Sequence, residues 1–71
     1  MSVRPGVYRH RKGGLYRVLF LARHSETEEV MVVYQALYGE RGYWVRPLSL
    51  FLERVLVEGR EVPCFEPLEE A

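Results

Sequence analysis

The sequence predicts a small all-β domain, curled into a barrel of five or six short strands with one helical turn. Three observations carry this. Runs rich in Val, Tyr, Phe and Leu are separated by Gly, Pro and polar turn residues every several positions. Helical spacing occurs at one place, where Leu48, Phe51 and Leu52 follow Pro47. The chain has 71 residues, enough for a single domain with a small core, and its 48% hydrophobic content is that of a globular protein.

Pro5-Gly6 is a turn signal, and Gly6 to His10 reads as the first strand. Arg11-Lys12-Gly13-Gly14 is a loop, because paired glycines supply the positive φ of a tight reversal. Leu15 to Arg23 is the second strand, and His24-Ser25-Glu26-Thr27-Glu28 a polar turn. The third strand runs from Glu29 to Tyr38, where Val30, Val32, Val33 and Tyr34 favour extended backbone. Gly39 to Gly42 turns the chain into a fourth strand, Tyr43 to Arg46. Pro47 cannot donate to a ladder but suits the first position of a helix, so a one-turn or 3₁₀ helix is expected near residues 48–52. Arg54 to Val57 and Glu61 to Phe65 read as two short strands around Glu58-Gly59-Arg60. The structured barrel is expected over residues 5–65, followed by an acidic tail over 66–71 that frays.

A register can be proposed for the central hairpin. If Arg23 faces Glu29 and Leu19 faces Val33, one face carries Tyr16, Val18, Phe20 and Ala22 against Ala36, Tyr34, Val32 and Val30. That apolar face should line the core. The other face holds Leu19, Leu21, Met31 and Val33, too large a patch to leave bare. A bent strand feeding both halves of a barrel would cover it, which is the favoured reading; a homodimer interface would cover it too. An open α+β sheet is the competing architecture.

Ten basic and ten acidic residues cancel. Their order along the chain is uneven. Arg4, Arg9, Arg11, Lys12, Arg17 and Arg23 precede every acidic residue, whereas the ten glutamates from Glu26 onward meet only Arg41, Arg46, Arg54 and Arg60. Interleaving in the folded domain is the simpler outcome, and a basic face for an anionic ligand is the other. Asp, Asn and Ile are absent, a profile expected of a thermophile or of a GC-rich genome. One cysteine, Cys64, allows no disulfide within the chain. No apolar run approaches a bilayer span and the first residues lack a secretory h-region, so a cytoplasmic protein is expected, with no membrane association.

Several blocks in order resemble the bacterial domain of unknown function 1653. They are Gly6-x-Tyr8-x-His10-x-Lys12-Gly13, Tyr16, His24-Ser25-Glu26-Thr27-x-Glu29, Val32-Val33-Tyr34-Gln35-x-Leu37-Tyr38-Gly39 and Trp44-Val45-Arg46-Pro47-Leu48-x-x-Phe51. The resemblance spans about residues 5–65 and implies an SH3-like barrel. It implies no activity.

The side chains able to do chemistry are few. Two histidines and one cysteine lack chelating spacing, so no metal or other cofactor is expected. His24, Ser25 and Glu26 form a polar cluster whose simplest role is to organise the turn through bonds to backbone. An enzyme reading, a small hydrolase or metal-dependent enzyme, would use His10, His24 and Glu26 and requires the two histidines to meet. Trp44 and Arg46 share one face of their strand; Arg46 could simply cover Trp44, or the pair could hold a ligand. The reading preferred here is a non-catalytic module. In it His10, Arg11 and Lys12 join Trp44 and Arg46 to recognise an anionic ligand: RNA, a nucleotide or an acidic protein segment.

Overall fold

The computed structural model describes residues 3–68. Gly6 is placed at a φ of 142° and starts β1 (Gly6–His10), which reverses through Arg11–Gly14 into the long β2 (Leu15–Arg23). The polar segment after β2 turns the chain into β3 (Val30–Ala36), and a second glycine-flanked turn leads into β4 (Tyr43–Pro47). Pro47 ends the strand with a φ of −54° that already suits a helix, and α1 (Leu48–Phe51) follows as one turn. Then come β5 (Arg54–Val57), β6 (Arg60–Pro63) and β7 (Phe65–Pro67).

The expected all-β class is what the chain adopts. Strands β1 to β4 form an antiparallel meander, and β7 returns to pair with β1, giving the order β4-β3-β2-β1-β7. The β5–β6 hairpin is a separate two-stranded sheet. No ladder joins β4 to β7 among the described residues, so hydrogen bonds do not close the sheet into a complete barrel. The gap between those edges is filled by side chains instead. Phe51 from α1 stacks on Phe65 from β7 at 4.3 Å, and the Arg46 guanidinium from β4 lies 5.3 Å from the centre of the same ring. No helix is long and apolar enough to cross a membrane.

The core is one cluster of mixed aromatic and aliphatic side chains. Val18 and Val32 are the most deeply enclosed, at 1% and 0% exposure, and Tyr8, Tyr34, Phe51 and Phe65 close around them. Tyr34 meets both Phe51 and Phe65 edge-on, and Tyr8 meets Phe51 likewise.

Besides the strand count, seven where five or six were expected because the segment Glu61 to Phe65 divides at Cys64 into β6 and β7, two expectations need correction. The proposed register holds for Tyr16↔Ala36, Arg17↔Gln35 and Val18↔Tyr34, and then slips by one: Phe20 faces Val33 and Arg23 faces Val30. A β-bulge at Leu19 causes the slip, because an extra residue on one strand inverts the in–out alternation beyond it. Leu21 therefore turns onto the core and Phe20 points outward, 57% exposed. The second correction concerns the end of the chain. Glu66 and Pro67, expected in a fraying tail, belong to β7 and pair with Arg9 and Tyr8; residues 69–71 of that tail lie outside the described residues.

Candidate functional site

The β1–β2 loop is built on His10. Its backbone N–H donates to the Gly14 carbonyl at 2.8 Å, and its carbonyl accepts from Gly13 N–H at 2.7 Å. Its Nδ1 accepts the Lys12 amide at 3.2 Å, the bond an Asx-turn would make with a shorter side chain. Gly13 sits at a φ of 109°, a conformation closed to other residues. Gly14 fits tightly for a different reason: a Cβ there would come within 3.2 Å of the Tyr16 and Tyr38 rings, which would have to shift to admit it. With Nδ1 serving as acceptor, a neutral His10 carries its proton on Nε2.

Beyond Gly14, an open cleft of about 650 Å³ separates this loop from the end of β3. His10, Lys12, Gly14, Tyr16, Leu37 and Tyr38 line it. The Tyr16 and Tyr38 hydroxyls are hydrogen-bonded to each other, and their rings meet edge-on at 5.6 Å. That bond to Tyr38, helped by burial, pushes the Tyr16 phenol up to about 12, so it stays protonated and serves as a hydrogen-bonding group. Two of the lining rings rest on Phe65, which is outside the lining itself: His10 meets it edge-on at 4.8 Å and Tyr16 at 5.7 Å. Arg46, over the same ring, is close enough to act electrostatically on both His10 and Tyr16.

Burial first, and then the positive charges of Arg11, Arg46 and Lys12, hold His10 below its ordinary value of 6.5. A depressed histidine stabilises the fold above pH 6.5. As pH falls, the unfolded chain takes up the proton first, and stability is lost down through the folded-state value. Urea midpoints are therefore expected to fall as pH drops from 7.5 to 5. His10→Asn keeps an acceptor for the Lys12 amide but has nothing to titrate, so its midpoint should vary less over the same range. An unchanged slope in that variant would show that His10 is not the group responsible.

The residues singled out in the sequence are only partly brought together. His10, Lys12 and Arg46 gather around Tyr16 and Phe65. Arg11 is turned toward a second, smaller hollow of about 240 Å³ that His10 also borders and that Glu66 lines from the opposite strand. Trp44 shares the inward face of β4 with Arg46 but lines neither depression; it is 58% exposed at the sheet edge. Arg46 covers Phe65, not Trp44. A third hollow of about 440 Å³, between Arg4, Tyr8, Phe51 and Arg54, holds none of these residues.

His24, Ser25 and Glu26 lie in the turn at the other end of β2. The His24 Nδ1 accepts amides from Glu26 at 3.1 Å and Thr27 at 3.4 Å, and the Thr27 hydroxyl accepts from Glu29 at 3.1 Å. The two histidines thus do the same work at opposite ends of one nine-residue strand, which spans about 25 Å or more if straight. They do not form the joint centre that the enzyme reading requires. Among the described residues, no three His, Cys, Asp or Glu side chains cluster as a metal site.

Tyr38 and Phe65 were missed in the sequence as parts of the site. The signal for Tyr38 was present, since a register that pairs Tyr16 with Ala36 places residue 38 just beyond, on the same face.

A family model described as "Protein of unknown function (DUF1653)" matches residues 6–67. The chain belongs to this family. The crystal structure of a DUF1653 protein from Bordetella bronchiseptica is 42% identical, covers 99% of this chain and 92% of its own, and superposes with a TM-score of 0.86. No curated protein matches the chain. The DUF1653 assignment fixes kinship and carries no activity with it. The chemistry of the cleft is what bears on function.

Proposed function

We propose that this DUF1653 domain is a non-catalytic binding module, and that the cleft between the β1–β2 loop and Tyr38 takes an anionic ligand of the nucleotide or RNA class. The observation that carries this is Lys12 and His10 set beside the Tyr16 and Tyr38 rings, in a cleft that no carboxylate lines among the described residues, with Arg46 over the neighbouring Phe65 adding positive charge. Lys12 is exposed at the rim and can reach a phosphate, and Tyr38, 54% exposed, offers a ring face on which a base can stack. Nucleophilic catalysis finds little support there. Among the described residues the cleft lining includes no serine, cysteine or threonine, the His10 Nδ1 is occupied by a backbone amide, and Tyr16 keeps its proton.

Fluorescence anisotropy with a labelled single-stranded RNA oligonucleotide tests the reading. Affinity should fall steeply as salt rises, because each neutralised phosphate releases counterions. Lys12→Gln should weaken binding and lower the salt slope by about one unit if it contacts one phosphate. Tyr38→Ala should weaken binding with the slope unchanged, since stacking releases no ions. No binding at low salt, or binding indifferent to all these changes, would remove the proposal.

A further inference from the structure

The outer face of the main sheet carries side chains that the core does not use. Three cross-strand rows can be followed on it. In the first, Leu15 and Leu37 lie opposite each other, the Leu37 N–H donating to the Leu15 carbonyl at 2.9 Å. Arg17, Gln35 and Tyr43 form the second row, and Phe20 and Val33 begin the third. Phe20 belongs to this face because the bulge at Leu19 turns it out. Alternate residues of a strand lie about 7 Å apart, and the rows succeed one another at that spacing.

Phe20 and Tyr43 are 57% and 69% exposed, and among the described residues neither ring meets another aromatic ring. Arg17, exposed on β2, forms no ion pair among the described residues. The charge of the sheet is nearly all of one sign. Its five strands hold Arg9, Arg17, Arg23 and Arg46 against one carboxylate, Glu66, at the β7 edge. The first row also borders the cleft, which Leu15 lines from β2 and Leu37 from beyond the end of β3. One surface therefore runs from Lys12 and Tyr38, over the leucine pair, to Arg17, Tyr43 and Phe20.

We infer that this outer face binds single-stranded RNA, taking the nucleotides that follow the one held in the cleft. The inference rests on the anion-binding reading of the cleft and narrows its ligand from a free nucleotide to a strand. Sequence-tolerant single-strand sites combine positive charge along the backbone path with rings on which bases stack. Arg17 supplies the charge, and Phe20 and Tyr43 supply the rings. The bases must be unpaired, because in a duplex their faces are already stacked on their neighbours. An apolar partner would bury the Arg17 guanidinium unpaired, a cost that a phosphate removes by pairing with it.

Anisotropy of a labelled uridine hexamer, with uridine monophosphate as competitor, tests this at low salt. The hexamer should bind at least about tenfold more tightly than the monophosphate. Phe20→Ala and Tyr43→Ala should each weaken the hexamer at least about fivefold, the loss of one stacked base, with circular dichroism unchanged. Arg17→Gln should weaken it too and lower the salt slope by about one unit. None of the three should change the inhibition constant of the monophosphate, which Lys12→Gln raises. A stable RNA duplex should lose nothing on Phe20→Ala. Hexamer affinity indifferent to the three variants, but lowered by Lys12→Gln, would confine the ligand to the cleft and overturn this inference alone. The reverse pattern would keep the face and remove the cleft. No RNA binding at all, a duplex weakened as much as the hexamer, or a dimer in light scattering that Phe20→Ala dissociates would overturn the face as an RNA site.

Discussion

Phe51→Ala is expected to leave the domain largely unfolded at 37 °C. The ring is 2% exposed and is the one fully buried side chain of α1, with Leu48 packing beside it on the core. It stacks on Phe65 and meets Tyr8 and Tyr34 edge-on, so its loss strips three other rings of a partner. Truncating a buried phenylalanine costs about 3–5 kcal/mol, because the walls cannot collapse into the space. At about 0.05–0.15 kcal/mol per residue, a chain of this length has roughly 4–10 kcal/mol in total. The substitution removes much of that. Thermal unfolding followed by circular dichroism is the measurement, and a melting temperature within a few degrees of the parent would mean that Phe51 is not central to the core.

Phe65 is expected to matter twice. Phe65→Ala should destabilise about as much as Phe51→Ala, since the same stacked pair is broken. Phe65→Leu keeps most of the volume and should cost less than half as much, on the order of 1–2 kcal/mol. Yet leucine offers no ring for Arg46 to lie over and no edge for His10 and Tyr16 to meet. A folded Phe65→Leu domain should therefore bind the RNA oligonucleotide more weakly than the parent, through a residue outside the cleft lining that touches His10 and Tyr16. Parent-like affinity in that variant would show that the arrangement of Arg46 and His10 does not depend on the ring.

Much of the fold was legible because the punctuation is strong. Pro5-Gly6, Gly13-Gly14, Gly39 to Gly42 and Glu58-Gly59 each mark a reversal, and Pro47 with Leu48, Phe51 and Leu52 marks the single helical turn. The bulge was not legible. Val18-Leu19-Phe20-Leu21-Ala22 is apolar throughout, so a slip of one residue leaves no mark in the alternation of polar and apolar positions. The division of the last segment into β6 and β7 was hidden for a related reason: strands this short have no period to read. In the site, the His10–Lys12 loop could be found from its glycines and charges. Trp44 was drawn toward that loop by chemistry alone, and only the curl of the sheet decides that Arg46 turns onto Phe65 while Trp44 stays at the rim.

The pairing of β7 with β1 has a consequence for how the molecule is made. Strands from the two ends of the domain lie side by side, so β1, made before β7, must wait for it. Until Phe65 emerges, Phe51, Tyr34 and Tyr16 have no lid, and their rings stay open to whatever else the cell offers. Vectorial synthesis can assemble the β1–β4 meander early, but not bury it. The domain is finished in one late step, all at once.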